Sequence, residues 1–254
     1  MIIIKGRFAS FGEVWFDEQP PERPPVDVLT FRLRSLPVEP RASTPFNSLV
    51  SDLAADESAI MASFGSTNRY KVKRADSKDG LTSEFMPQPQ PHLDDFCGFY
   101  DEFAHQKTLT GSYRRGLAAA CAAGQLVLSA ATRNGERIVW HAYIRSDSRA
   151  ALLHSASHFR SKDSAERALV GRANRWLHWR DMLAFKQMGL VAYDWGGMFD
   201  DETPIEHASI NNFKREFGGR PHCAYNCDMP VSGRGRAYLA LRHALERLNI
   251  LPAD

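Results

Sequence analysis

Cysteine is scarce in this chain of 254 residues. The four present, Cys97, Cys121, Cys223 and Cys227, have neither paired Cys-x-x-Cys spacing nor the density of a disulfide-stapled secreted scaffold, so reduced thiols are expected. Cys223 and Cys227 stand beside His222, yet no second ligand pair follows at zinc-site spacing, and no metal is expected. Long apolar runs are missing too. None reaches the roughly 18 residues of a membrane helix, and the opening MIIIKGRF is far shorter than a signal peptide. A cytoplasmic chain without a membrane span is the expectation. Neither sign of charge is in excess: Lys and Arg number 32 against 30 Asp and Glu, a net charge of +2. The whole chain therefore gives no electrostatic argument for DNA, and only local patches could attract a polyanion. There is no internal repeat or low-complexity tract.

What remains is an ordinary globular composition, 43% hydrophobic and 24% charged, enough to bury one large core or two small ones. Residues 2–16 and 26–34 alternate apolar and polar as strands do, separated by the breaker EQPPERPP. FNSLVSDL leads to a short helix that Asp56 can cap and Gly65 close. STNRYKVKRADSK then sets five cations, Arg69, Lys71, Lys73, Arg74 and Lys78, against the single acid Asp76. A strand in TSEFMPQPQP runs into prolines, which places a boundary near residue 91: a β-rich extension with the basic motif over 1–91 and a core over 92–254. From there two helices (from His92 and from Tyr113) precede three strands, joined in part by the hairpin signal Asn134-Gly135. A long helix from about Ser164 to Met188 follows, then the buried strand LVAYDW, a helix over Ile205–Phe217, the strand RPHCAYNC and a last helix.

Three antiparallel strands, a long helix and a strand that crosses back parallel make an α/β mixed sheet covered on both faces. That order is similar to the GNAT acyltransferase fold. The stretch NSLVSDLAADESAIMASFGSTNRYKVKRA, then YDWGG, then INNFKREFGG resembles the Fem-like branch of that superfamily, the peptidoglycan-bridge aminoacyltransferases and related acyltransferases. The resemblance covers about residues 46–228 and implies one GNAT-like unit with an incomplete N-terminal GNAT-like extension. The Arg/Gln-x-x-Gly-x-Gly/Ala pyrophosphate loop of ordinary acetyl-CoA enzymes is absent; HFRSKDSAERALVGRAN stands in its place.

The implied activity is transfer of an acyl or aminoacyl group to an amine. The co-substrate donor is an acyl-CoA or an aminoacyl-tRNA, and no cofactor is tightly bound. A Gly-x-Ser-x-Gly elbow and a Cys–His signature are both missing, which fits direct attack better than an acyl-enzyme. Lys214 is the first candidate, an ammonium to stabilise an oxyanion or hold a phosphate, its helix anchored by Phe213 and Phe217; a solvated helical lysine is the alternative. Asp194 ends its strand where ligands lie in open α/β sheets, as a base, a binder of the acceptor ammonium, or a carboxylate capping the turn after it. Gly196 and Gly197 give the turn its shape. Arg69 and Arg74 form one candidate donor patch. Arg172 and Arg175 belong to another, where seven cations face three acids between Arg160 and Lys186. His158, at a strand end, is the histidine placed at the site; His141, His154 and His178 are expected to be buried and hydrogen-bonded. Tyr143 and Tyr225 are possible leaving-group acids, or core residues. The competing class is a non-catalytic GNAT-like binding module or a subunit of a larger complex.

Overall fold

The computed structural model describes residues 1–157 and 163–248. The chain forms two compact units, Met1–Phe46 with the segment from Cys223 onward, and Asn47–His222. In the first, the alternation in MIIIKGRFASFGEVW makes two strands where one extended run is expected. The Gly6 N–H donates to the Ala9 carbonyl at 3.0 Å and folds β1 (Ile2–Lys5) back antiparallel onto β2 (Ser10–Trp15). The proline-rich connection then lets β3 (Val28–Arg34) lie parallel to β2. The last strand, β10 (Arg220–Pro230), pairs antiparallel with β3, and α7 (Gly233–Arg247) follows. Val14, Phe31 and Cys227 share the core of this unit, whereas Cys223 is exposed.

Asp27 fastens the first unit. Its carboxylate accepts from the Ser10 N–H and hydroxyl, both at 2.9 Å, and from the Ser232 hydroxyl at 2.7 Å, and these donors hold it below the usual carboxylate range. Ser232 in turn caps α7 by accepting from the Gly235 N–H at 3.0 Å.

The second unit holds β4 (Thr44–Asp52), α1 (Glu57–Ser63), α2 (Ser66–Lys78), β5 (Leu81–Met86), α3 (Leu93–Lys107), α4 (Arg114–Ala122), β6 (Leu126–Arg133), β7 (Glu136–Arg145), β8 (Arg149–Ser157), α5 (Ser164–Gln187), β9 (Ala192–Gly197) and α6 (Ile205–Arg215). Its strands run in the order β4-β9-β8-β7-β6-β5, with β8 and β9 parallel and their neighbours antiparallel. The expected meander is β6–β8, and Asn134 and Gly135 turn its first hairpin at φ 52° and 82°. The proline-rich stretch read as a boundary near residue 91 lies inside this unit, because β5 on one side of it pairs with β6 on the other.

Successive residues of β7 point to opposite faces, so helices cover both. Val139 and Tyr143 pack in one core with Val170, Ala173 and Leu177 of α5. Trp140, on the other face, meets Phe96 of α3 edge-on at 6.0 Å. Burial of this alternating set is what fixes the register of the sheet.

A Cβ placed on Gly235 would lie 2.0 Å from the Asp27 carbonyl oxygen. Gly235→Ala is therefore expected to lower stability by about 1–3 kcal/mol, the usual cost of overpacking, read as a reduced urea midpoint with unchanged slope.

Candidate active site

The parallel pairing of β8 and β9 covers only Arg149–Ala151 against Ala192–Asp194. Beyond it, Gly196 at φ +70° comes so close to β8 that a Cβ would sit 2.8 Å from the Leu152 carbonyl oxygen, so both its conformation and its contact demand glycine. The carboxyl end of β9 thus bends away from regular pairing at the half-buried Gly196 and Gly197, at the end of the sheet where open α/β folds keep ligands.

Asp194 is fully buried just before the turn. One oxygen takes the Gly196 N–H at 2.8 Å; the other takes the Arg149 guanidinium and the Ser48 hydroxyl, the latter at 3.3 Å. Of the roles weighed for this carboxylate, capping the turn is the one its contacts serve. Arg149 reaches on to His222, with 3.5 Å between Nη1 and Nε2.

Lys214 points from α6 to the same turn and donates to the Gly197 carbonyl. Burial lowers its ammonium to about 8, with the Asp194 charge opposing that shift. Phe213 and Phe217 anchor the helix as their spacing predicts, against His178 and against each other at 5.3 Å between ring centroids. Arg175 lies over the Phe213 ring at 4.7 Å and pairs with Glu216 at 2.7 Å. Asp194, Gly196, Gly197, Phe213, Lys214 and Arg175 are therefore brought together.

The other sequence candidates are placed apart. Arg69 closes the end of α1 by donating to the Ala62 and Phe64 carbonyls. Arg74 is exposed on α2, 3.3 Å from the Tyr70 hydroxyl. Arg172 grips Asp79 through two bonds of 2.6 and 3.0 Å. Lys186 donates to the Leu53 and Ala55 carbonyls. Much of the charge counted on the long helix is thus spent on internal partners. His158, with Arg160 and Lys162, lies outside the described residues.

A cleft of about 490 Å³ opens at the end of β9. Asn47 and Ser48 line it from β4, Asp200 and Glu202 from the loop after β9, and Asn211 and Arg215 from α6, while Lys214 turns inward behind them. Asn211 is fully buried and clamps the loop: it accepts from the Phe199 N–H at 3.0 Å and donates to Phe199 O and Glu202, both at 2.8 Å. Glu202 is held ionised at about 2, chiefly by its bond to Arg215 and then by Asn211. The sequence signal for Asn211 was its place beside Phe213 and Lys214; Asp200, Glu202 and His222 had none beyond proximity to the glycines or cysteines.

Behind β9 lies a polar chain that alternation alone could not foretell. Asp181 of α5 accepts from Ser129 (2.9 Å) and Tyr143 (2.6 Å) and bonds His141 Nδ1 (2.8 Å), whose Nε2 meets Asn174 at 2.7 Å. The Tyr143 and Tyr193 hydroxyls are 2.9 Å apart, and Tyr193 bonds His178 Nδ1 at 2.7 Å. Burial drives both tyrosines well above, and His178 well below, their ordinary values. His141 and His178 are buried and hydrogen-bonded, as expected; His154 is half-buried without a hydrogen bond among the described residues, its ring tilted against Tyr100 at 4.3 Å between centroids, and desolvation lowers it to about 4.

Asp194→Asn removes one charge of a buried pair and is expected to cost about 3–5 kcal/mol in urea unfolding, most of it recovered by adding Arg149→Met. Lys214 yields a pH signature. Its folded value of about 8 is below the ordinary 10.5, so between these values the unfolded chain holds a proton that the folded one has released. Stability should rise with pH across that window relative to Lys214→Met, measured as the difference between the two proteins' urea midpoints.

No family model matches the sequence, and no curated protein does. Solved structures match its fold. FemX superposes with a TM-score of 0.58 and 13% identity, over 77% of this chain and 63% of FemX, so the chain spans less than two thirds of that relative. The C-terminal domain (DUF2156) of an Agrobacterium fabrum protein described as a lysylphosphatidylglycerol synthetase gives 0.57 and 12%, over 86% and 72%. L-PGS from Bacillus licheniformis gives 0.51 and 12%, over 85% and 72%. The α/β architecture, with its mixed sheet and helices on both faces, is the fold that these structures share.

Proposed function

We propose that the chain is an acyltransferase that moves an acyl or aminoacyl group from an acyl-CoA or aminoacyl-tRNA to an amine, by direct attack. The observation that carries this reading is the half-buried lysine fixed at the glycines where β8 and β9 part, beside a cleft lined by Asp200 and Glu202, on a fold shared with FemX and the C-terminal domain of a protein described as a lysylphosphatidylglycerol synthetase. The acceptor amine enters the cleft, where Asp200 faces its ammonium form beside the Glu202–Arg215 pair. Once deprotonated, it attacks the donor carbonyl. A C–N bond forms, the C–S or C–O bond of the donor breaks, and the amine's proton leaves to the departing group or to solvent. The Lys214 ammonium stabilises the oxyanion of the tetrahedral intermediate. Asp194 acts as a positioning residue, holding Arg149 and the Gly196 turn.

The donor is extended along the edge of β8 beyond Ala151, which β9 leaves unpaired among the described residues and where backbone groups suit an amide-bearing chain. Exposed Lys73, Arg74 and Lys78 on α2 supply positive charge for a polyanionic donor. A fold alone does not fix a reaction, so the test is transfer itself. The purified protein is incubated with labelled acyl-CoAs or charged tRNAs and a panel of amines. Product from one donor class is expected, with Lys214→Met lowering kcat about 100-fold or more while its circular dichroism stays that of the wild type. The wild-type kcat should fall as pH rises through about 8, where Lys214 loses its charge; a rise there would instead make it a proton acceptor. Silence from both donors, with no thermal shift from either, would leave a binding module.

A further inference from the structure

The first unit carries a cleft of about 400 Å³ that the proposed transfer does not use. Its floor is an irregular piece of sheet. Leu33, fully inside the core, has φ +54°, and its N–H donates to the side-chain oxygen of Asn226 at 3.0 Å instead of to a strand carbonyl. Asn226 falls where the β3–β10 register shifts, between Tyr225 and Cys227. A bulge of this kind re-aims side chains, and a branched residue at positive φ persists only where its surroundings impose it. Here it leaves the amide N–H₂ of Asn226 unengaged among the described residues and directs it, with Arg32 of β3, to the cleft.

The charges there do not cancel. Arg242 of α7 takes both acids of the lining, Asp228 at 2.7 Å and Glu246 at 3.1 Å. Arg32 and Arg41 have no side-chain hydrogen bond or ion pair among the described residues, and neither does His243. Arg41 is carried on a turn closed by the Ala42 and Ser43 N–H groups on the Glu39 carbonyl, at 3.0 and 2.8 Å. Two guanidinium groups without an ion pair among the described residues, an amide donor and an imidazole therefore line one concave surface whose two acids, Asp228 and Glu246, share Arg242; three cations face two acids there, and the second Asp228 oxygen has no partner.

We infer that this cleft binds the phosphate group of a small phosphorylated molecule. Guanidinium forks and an amide N–H₂ match an acceptor with three peripheral oxygens better than a carboxylate with two. The volume exceeds that of a bare phosphate and leaves room for an organic substituent.

The test is calorimetric titration of the whole protein with inorganic phosphate and with pyrophosphate at low salt, alongside NMR of the His243 ring. Saturable binding is expected, with the His243 signals moving. The Kd should weaken about tenfold in Arg41→Gln, an exposed position, and further in Arg32→Gln/Arg41→Gln. Lys214→Met should bind as the wild type does. Absence of binding to either anion, binding unchanged in the double variant, or binding lost in Lys214→Met would each overturn the assignment, the last by placing the anion in the transfer cleft. Because the readout is binding, its failure is distinct from failure of the transferase reading.

Discussion

One carboxylate without access to water organises the larger unit. Asp181 takes donors from β6 and β7, and through the two tyrosines its influence extends to β9 and back to α5 at His178. A buried polar group left unmatched costs about 1–3 kcal/mol, so such a chain tolerates one arrangement of strands and helix where apolar packing alone would tolerate several. Sliding α5 by a turn, or β7 by a residue, would strand several of these groups at once. The end of β9 is therefore positioned from beneath, before any ligand arrives.

The chemistry at that end follows from the same enclosure. Burial keeps the surroundings of Lys214 poor in water, which lowers its affinity for a proton. Asp194 moderates the effect without taking over the lysine, because its oxygens are already occupied by Arg149, Ser48 and the turn. A lysine less buried would carry an ordinary charge, and one more buried would carry none near neutral pH.

Much of this was legible in the sequence where local physics decides. Helix spacing located α5 to within a residue at each end, the Asn-Gly turn located the meander, and glycines flanked by an acid located the end of β9. What stayed hidden depends on partners far along the chain. Nothing near Arg172 says that Asp79 will claim it, and nothing near His178 says that Tyr193 will lie against it. The proline-rich stretch after β5 looked like a border because its composition changes there, but composition does not reveal that β5 pairs with a strand 40 or so residues on. The hairpin at Gly6 was missed for the opposite reason: alternation continued across it, and only the backbone contact with Ala9 shows the fold-back.

The division of the chain has a consequence for how the protein comes to be made. Strands β1–β3 emerge from the ribosome early, whereas β10, the partner of β3, follows the whole of residues 47–222. At roughly 5–20 residues per second, that edge stays bare for on the order of 10–35 s, the time that the intervening unit takes to be made. An open, apolar strand is a point of vulnerability in a nascent chain. The order of synthesis thus makes the small unit the last to close, and the part most dependent on protection during translation.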